Sequence, residues 1–297
     1  MKTLIIYHRV DWDGYTAAAV ALRAFSKADL LGWNYGDPLP DTSDYDIVIL
    51  VDLTISDKGD YSWMNENADK LIWIDHHIAA INAVNRPDIN GLRRDNIGAC
   101  VLTWEFFFPE RLCPDHVALC GTYDVFRKDN FYAHWDSAWA YQLALSEYGP
   151  GWTKETGDRS LDFVNLALQF INEHDGHTWI RVLKGGQLEE ERAAKEREIF
   201  ESAEYRISSG VKYCIINAIG QPAMLIKNHL DAHTADVFII TDDHVVKSDE
   251  NGDYYKISVR VPEKSTFDAA AFCRKFGGNG HLKAAGCLMT KEQIKNL

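Results

Sequence analysis

The chain has 297 residues, enough for one large domain or two of medium size, and its composition (46% hydrophobic, 25% charged, 12% aromatic) is that of a globular protein. A formal net charge of -13 argues against a protein that tracks long nucleic acid, which needs a basic surface, and leaves room for a short substrate whose charge is met locally. No apolar run is long enough to span a bilayer and residues 1–7 are apolar too briefly for a signal peptide, so a cytoplasmic location without a membrane partner is expected.

Residues 1–7 form a first apolar strand, and His8-Arg9-Val10-Asp11-Trp12-Asp13 leads into a helical run over 14–25. A second strand is expected over 30–35. Residues 46–51 are a continuous apolar run ending in Asp52, and residues 71–74 are another ending in Asp75. Continuous runs separated by helix-length segments predict an α/β fold, a Rossmann-like parallel sheet buried on both faces with flanking helices. Beyond Asp95 the pattern turns helical, over 99–108, 115–121, 137–147 and 161–173. Gly185-Gly186 then opens a polar, charge-laced stretch expected to be a linker helix. From 211 onward strands over 211–217, 237–241 and 254–261, a helix over 268–275, a glycine loop over 277–281 and a small-residue strand over 284–289 predict a smaller C-terminal α/β domain. The expected division is a catalytic domain over 1–184, a linker helix over 185–208 and a substrate-binding domain over 209–297.

The six cysteines, Cys100, Cys113, Cys120, Cys214, Cys273 and Cys287, contain no C-x-x-C pair, so free, mostly buried thiols are expected. The N-terminal strands carry the chemistry. Each apolar run ends in acidic or imidazole residues: His8, Asp11 and Asp13; Asp52; Asp75, His76 and His77. The carboxyl ends of parallel strands converge on one crevice. That convergence gathers carboxylates that repel one another unless divalent cations lie between them, and mixed Asp/His ligation suits manganese, iron, cobalt or zinc. Asp52 alone reads best as a helix cap, and two adjacent histidines alone carry little. Three strand ends together favour metal binding. His116, His134, His174, His177, His229, His233 and His244 read as ordinary surface or core histidines. Trp12 fits either packing or base stacking, and Arg93-Arg94 a solvated loop or a phosphate contact.

Ile74-Asp75-His76-His77 resembles the name-giving motif of the DHH phosphoesterase superfamily, and His8-Arg9-Val10-Asp11-Trp12-Asp13-Gly14 resembles its first motif. Val51-Asp52-Leu53-Thr54 and Gly121-Thr122-Tyr123-Asp124 are similar to its second and fourth. Gly277-Gly278-Asn279-Gly280-His281, followed by Ala284-Ala285-Gly286 and preceded by Ile257-Ser258-Val259-Arg260, resembles the companion DHHA1 domain. The likeness is to members of the nanoRNase and 3′-phosphoadenosine 5′-phosphate phosphatase type. It implies that His8 and Asp11 bind one metal, that Asp13, His76 and Asp124 bind another, and that Asp52 bridges them. Asp75 would orient an imidazole, and His77 would meet the scissile phosphate. Many members have one more residue between the histidine and first aspartate of the first motif, which leaves the division of ligands between the ions open.

The resemblance further implies two divalent ions, manganese first, with magnesium, cobalt or iron as alternatives. Arg260, Gly278, Asn279, Gly280 and His281 would hold the far phosphate or base, across a cleft from the metals. Very short oligonucleotides degraded from an end rank first as substrates, with linear or cyclic dinucleotides and 3′-phosphoadenosine 5′-phosphate behind them. A non-catalytic nucleotide-binding protein is the reading from another class, and a homodimer is left open.

Overall fold

A computed structural model describes residues 1–297 apart from 58, 126–130, 150–151, 154–156, 218–233 and 251, and describes no side chain at 152–153, 242–244 or 279. His229 and His233 therefore lie outside the described residues, as do the side chains of His244 and Asn279. The chain divides into two compact units, Met1–Glu189 and Glu190–Leu297.

In the first unit β1 (Thr3–His8), β2 (Asp29–Trp33), β3 (Ile47–Val51) and β4 (Leu71–Ile74) form a parallel sheet in the order β2-β1-β3-β4. Neighbouring strands lie side by side in register, so their carboxyl ends share one edge. Successive side chains of a strand face opposite ways. Ile5, Tyr7, Ile49, Val51 and Ile74 pack on one face in a core with α1 (Trp12–Ala24), and Leu4, Ile6, Val48, Leu50, Leu71 and Trp73 pack on the other with Trp33, Leu53, Ile55, Trp63 and Met64. Both faces being covered explains the unbroken apolar runs. Each fully buried Ile or Leu contributes roughly 1.5–3 kcal/mol.

Helix α1 starts where Asp11 accepts the Gly14 N–H at 2.9 Å. Its alanines at 17, 18, 19 and 21 are wholly buried, which lets β1 and three further helices close on it. Gly14 has a steric reason: a Cβ there would stand 2.1 Å from the carbonyl oxygen of His8. The first turn of α1 is thus pressed against the end of β1, which brings Asp11 to His8. The remaining elements of this unit, in chain order, are α2 (Ser62–Glu66), α3 (Ile78–Val84), α4 (Ala99–Phe107), α5 (Asp115–Asp124), α6 (Trp135–Leu145), β5 (Trp152–Thr153), β6 (Gly157–Asp158) and α7 (Ser160–Asn172).

Helix α8 (Asp175–Glu201) spans 27 residues and crosses from one unit into the other. It begins ten residues before Gly185-Gly186, which lie inside it rather than at its start. A Cβ on Gly185 would meet the carbonyl oxygen of Ala140 at 1.6 Å, so close packing against α6 demands the glycine. The expected linker also ends early, because residues 204–208 are strand β7 (Glu204–Ser208), whose alternating polar and apolar residues follow a period of two.

The second unit is a six-stranded mixed sheet. Its other strands are β8 (Val211–Asn217), β9 (Val237–Asp249), β10 (Gly252–Arg260), β11 (Asn279–Gly280) and β12 (Ala284–Thr290), and its order is β11-β12-β10-β9-β8-β7. Among the described residues only the β8–β9 pair is parallel. Helix α9 (Ala269–Arg274) is capped by Asp268, which accepts the Ala271 N–H, and α10 (Lys291–Lys295) by a reciprocal Thr290–Gln293 pair. All six cysteines are free, and all but Cys113 are buried.

Candidate metal centre

The metal-ligand and catalytic candidates of the first unit stand at the carboxyl edge of the parallel sheet. His8 ends β1, Asp11 caps α1 and Asp13 lies in its first turn, Asp52 follows β3, Asp75, His76 and His77 follow β4, and Asp124 ends α5. The ligand-type atoms gather into three groups: His8, Asp11 and Asp52; Asp13, His76 and Asp124; Asp52, His76 and His77.

Asp52 joins the groups. Its Oδ2 lies 3.5 Å from His8 Nδ1, and its Oδ1 lies 3.2 Å from His76 Nε2. The carboxylate is buried, and its backbone is left-handed (φ 60°), an uncommon and strained conformation outside glycine. His8 Nδ1 is also 3.0 Å from Asp11 Oδ2. His76 Nε2 is also 3.2 Å from Asp124 Oδ2 and 3.8 Å from Asp13 Oδ2.

The electrostatics of this cluster are frustrated. Burial opposes the His8 imidazolium, but Asp11 and Asp52 more than offset it and raise its pKa to about 11. Burial likewise opposes His76, and Asp52, Asp13 and Asp124 raise it to about 10. Burial and the charge of Asp52 push Asp13 up to about 6, while burial with Asp13 and Asp11 pushes Asp124 up to about 7. Burial and Asp11 also raise Asp52. Burial works against the Asp11 charge too, yet His8 holds it below the ordinary carboxylate range.

His8 Nδ1 and His76 Nε2 are nonetheless buried without a hydrogen-bond partner among the described residues, because the ring nitrogens do not point at the neighbouring oxygens with the angle a bond needs. Unpartnered buried nitrogens facing several carboxylates are what a cation would satisfy. Four carboxylates, Asp11, Asp13, Asp52 and Asp124, balance the charge of two dications when both imidazoles are neutral. The donor set is of the mixed oxygen and imidazole type that divalent transition metals take. The residues present therefore fit a pair of divalent cations.

Asp75 is different. It is fully buried and accepts from five donors: the backbone N–H groups of His76 (2.7 Å) and His77 (3.1 Å), His77 Nδ1 (2.7 Å), the Thr54 hydroxyl (2.6 Å) and Trp73 Nε1 (3.4 Å). Burial opposes its charge, but the bonds from His77 and Thr54 hold it below the usual carboxylate range. The imidazole it orients is His77. The bond to Asp75 raises the pKa of that ring, which is 42% exposed and keeps Nε2 for another partner.

Asp13 has a second task that its sequence position does not reveal. Its Oδ2 accepts the Ala99 N–H at 2.7 Å and its Oδ1 the Cys100 N–H at 2.9 Å, capping the N-terminus of α4. The sequence likewise assigns no bond to Thr54, although it lies in the second-motif stretch, or to Trp73, yet both hold Asp75. The only signal was their place in or next to the motif stretches.

Trp12 is 6% exposed and packs among Tyr15, His116, Phe163 and Phe170, so the base-stacking alternative gives way to core packing. Arg93 donates to the carbonyls of Trp73 and Ile89 and lies over the Trp73 ring, while Arg94 pairs with Glu105, so both guanidinium groups are engaged within the fold. His116 is a core histidine between Thr16 and Tyr141, its pKa lowered to about 3 by burial.

Arg260 and the glycine loop belong to the second unit. Arg260 donates to the Val259 carbonyl at 2.9 Å, and burial lowers its pKa. The expected cradle of backbone N–H groups is largely closed. Gly277 N–H goes to Arg274 O, Gly278 N–H to Cys273 O and His281 N–H to Ala284 O, and Asn279 and Gly280 pair with β12. Gly278 is instead required by packing, since a Cβ would lie 2.1 Å from the Gly286 carbonyl oxygen. The His281 side chain is exposed.

Residues 2–115 match the DHH family, N-terminal domain. Among solved structures, the pGpG-specific phosphodiesterase PggH from Vibrio cholerae is similar over 99% of this chain and 94% of that one, with a TM-score of 0.58 and 12% identity. RecJ from Thermus thermophilus in complex with Mn2+ is similar over 99% of this chain but 50% of its own, with a TM-score of 0.49 and 17% identity. No curated protein matches the sequence. At such identities the PggH likeness speaks to the fold alone. Residues 2–115 are therefore similar to the N-terminal domain of the DHH family, and with its parallel sheet the chain shares the fold of PggH.

Proposed function

We propose that the protein is a metal-dependent phosphoesterase acting on short oligonucleotides or small nucleotides, with two divalent cations, manganese by preference, held by His8, Asp11, Asp13, Asp52, His76 and Asp124. The observation that carries this reading is the pair of buried, unpartnered nitrogens, His8 Nδ1 and His76 Nε2, with one oxygen of Asp52 turned to each. Two bound cations would supply Lewis acidity at the phosphoryl group and at the attacking water.

The chain's own residues do the rest. Asp52 fixes the spacing of the two ligand groups, because its carboxylate is buried and its backbone is set. Asp75 accepts the Nδ1 proton of His77 and so fixes the tautomer and the ring. In its imidazolium form His77 also carries a proton on Nε2, which then donates to a phosphoryl oxygen or to the leaving oxygen. Because the Asp75 bond raises the His77 pKa, the proton stays available to a higher pH than on a free histidine. In the second unit, Arg260 and His281 are proposed to hold the substrate's remaining phosphate or base, with Gly278, Asn279 and Gly280 shaping the loop between them.

The net charge of -13 supports a short substrate. Sharing a fold with a pGpG-specific phosphodiesterase agrees with a phosphodiester in a small nucleotide. Linear or cyclic dinucleotides and 3′-phosphoadenosine 5′-phosphate are the nearest alternatives. The test is a panel with added Mn2+: dinucleotides, RNA and DNA oligomers of increasing length, cyclic dinucleotides and the 3′,5′-bisphosphate. The rate should fall steeply beyond a few nucleotides. Equal rates on long strands would overturn the substrate class. Binding without hydrolysis of any member would point to a nucleotide sensor instead.

A further inference from the structure

The first unit holds a cavity of about 560 Å³ whose lining includes Tyr35, Asp37, Pro38, Leu39, Ser56 and Asp57. Its walls are two loops, one following β2 and one following β3, the strands on either side of β1. It therefore opens at the same sheet edge as the candidate metal centre. Tyr35 connects the two places: its ring meets the His8 ring edge-on, with centroids 6.0 Å apart, and packs against Trp33 at 5.6 Å.

One wall is fixed by its own bonds. Trp33 Nε1 donates to the Pro38 carbonyl at 3.0 Å. Asp37 is fully committed, one oxygen accepting from Arg9 at 2.9 Å and the other from the Asn34 N–H at 2.8 Å. Asp57 is the contrast. Its backbone is pinned to Asp60 by two hydrogen bonds of 2.9 and 2.8 Å, but its side chain is exposed and its carboxylate has no partner among the described residues. Ser56 stands next to it with a hydroxyl. The cavity thus offers an aromatic face, an apolar wall from Pro38 and Leu39, a free carboxylate and an adjacent hydroxyl.

We propose that this cavity is a nucleobase pocket that selects guanine. The edge of guanine presents an acceptor, O6, beside two donors, N1–H and the exocyclic N2–H. A hydroxyl donor next to a two-oxygen acceptor complements that order. Adenine would turn its N1 lone pair toward the carboxylate. Uracil offers one donor flanked by two acceptors, and cytosine presents its single donor at the opposite end. The base stacks on Tyr35, which places its attached phosphate on the His8 side. The assignment rests on the phosphoesterase reading for what happens to that phosphate, but base selection can be read without it.

The experiment is equilibrium binding of GMP, AMP, CMP and UMP to the full chain with Mn2+. Wild type should bind GMP roughly tenfold or more tightly than the others, the scale of one bidentate base contact. Asp57→Asn should erase most of that ratio, and Tyr35→Ala should weaken all four. Equal affinities in wild type, no binding of any nucleotide, or a GMP preference that survives Asp57→Asn would overturn the pocket. His76→Ala separates the two ideas. It should abolish hydrolysis of dinucleotides while the GMP preference persists, whereas a wild type that hydrolyses nothing but still prefers GMP sinks the phosphoesterase reading alone.

Discussion

Asp75 and Asp52 stand at the ends of neighbouring strands, both buried, yet their surroundings are opposite. Asp75 receives five donated hydrogen bonds and needs nothing further. Asp52 lies between two imidazoles whose facing nitrogens have no hydrogen-bond partner among the described residues, and other carboxylates crowd it. The first arrangement stabilises the fold as it stands. The second leaves buried polar atoms unmatched, an unfavourable state that persists where a ligand resolves it. The contrast separates the residue that holds the site in place from the residues that bind within it.

The sharpest way to break that contrast is to measure activity and stability in the same variants. His76→Ala should lower kcat by roughly a thousandfold, about 4 kcal/mol of transition-state stabilisation. Its metal-free form should be no less stable than wild type in urea melts. A marked loss of stability would mean that His76 serves the fold.

Asp75→Asn should do the reverse in emphasis, destabilising the metal-free protein by about 2–4 kcal/mol, because five donors lose a charged acceptor. A stability change within experimental error would remove the distinction between the two aspartates.

Cation binding should sharpen the comparison from the other side. Saturating Mn2+ should stabilise wild type by about 2.7 kcal/mol at a hundredfold excess over its Kd. Asp75→Asn should keep part of that gain, and Asp52→Asn should lose most of it. Thermal melts with and without Mn2+ read this directly.

The smallest effect concerns a histidine outside the centre. Burial depresses the His116 pKa to about 3 in the folded chain against 6.5 as a free group. A depressed histidine contributes stability above its unfolded pKa and loses it as pH falls from about 6.5 toward 3. The slope is about 1.4 kcal/mol per pH unit. His116→Gln should flatten the stability difference between about pH 6.5 and about pH 5 relative to wild type.

The strand ends were legible because polar ligand residues interrupt apolar runs at the point where parallel strands deliver them to one edge. His8, Asp52 and His76 meet for that reason alone. The bonds that hold Asp75 were not legible, since Thr54 and Trp73 reach it from positions whose pairing only the folded sheet sets. Asp13 capping α4 was hidden for the same reason. The glycine loop misled in one respect: its glycines suggested free N–H groups, but the ladder with β12 and the carbonyls of α9 consume most of them. Strand β7 was absorbed into the linker helix because the charged residues before it continue without a break, although the alternation over 204–208 was there to be read.

The cap that Asp13 gives to α4 links residues 86 and 87 positions apart in the chain. No short fragment can assemble this centre, since the carboxylate is oriented only once the chain has closed a loop of that length. Cation capture would then be a late event in folding, and Mn2+ added during refolding would act on the unfolding rate rather than on the folding rate.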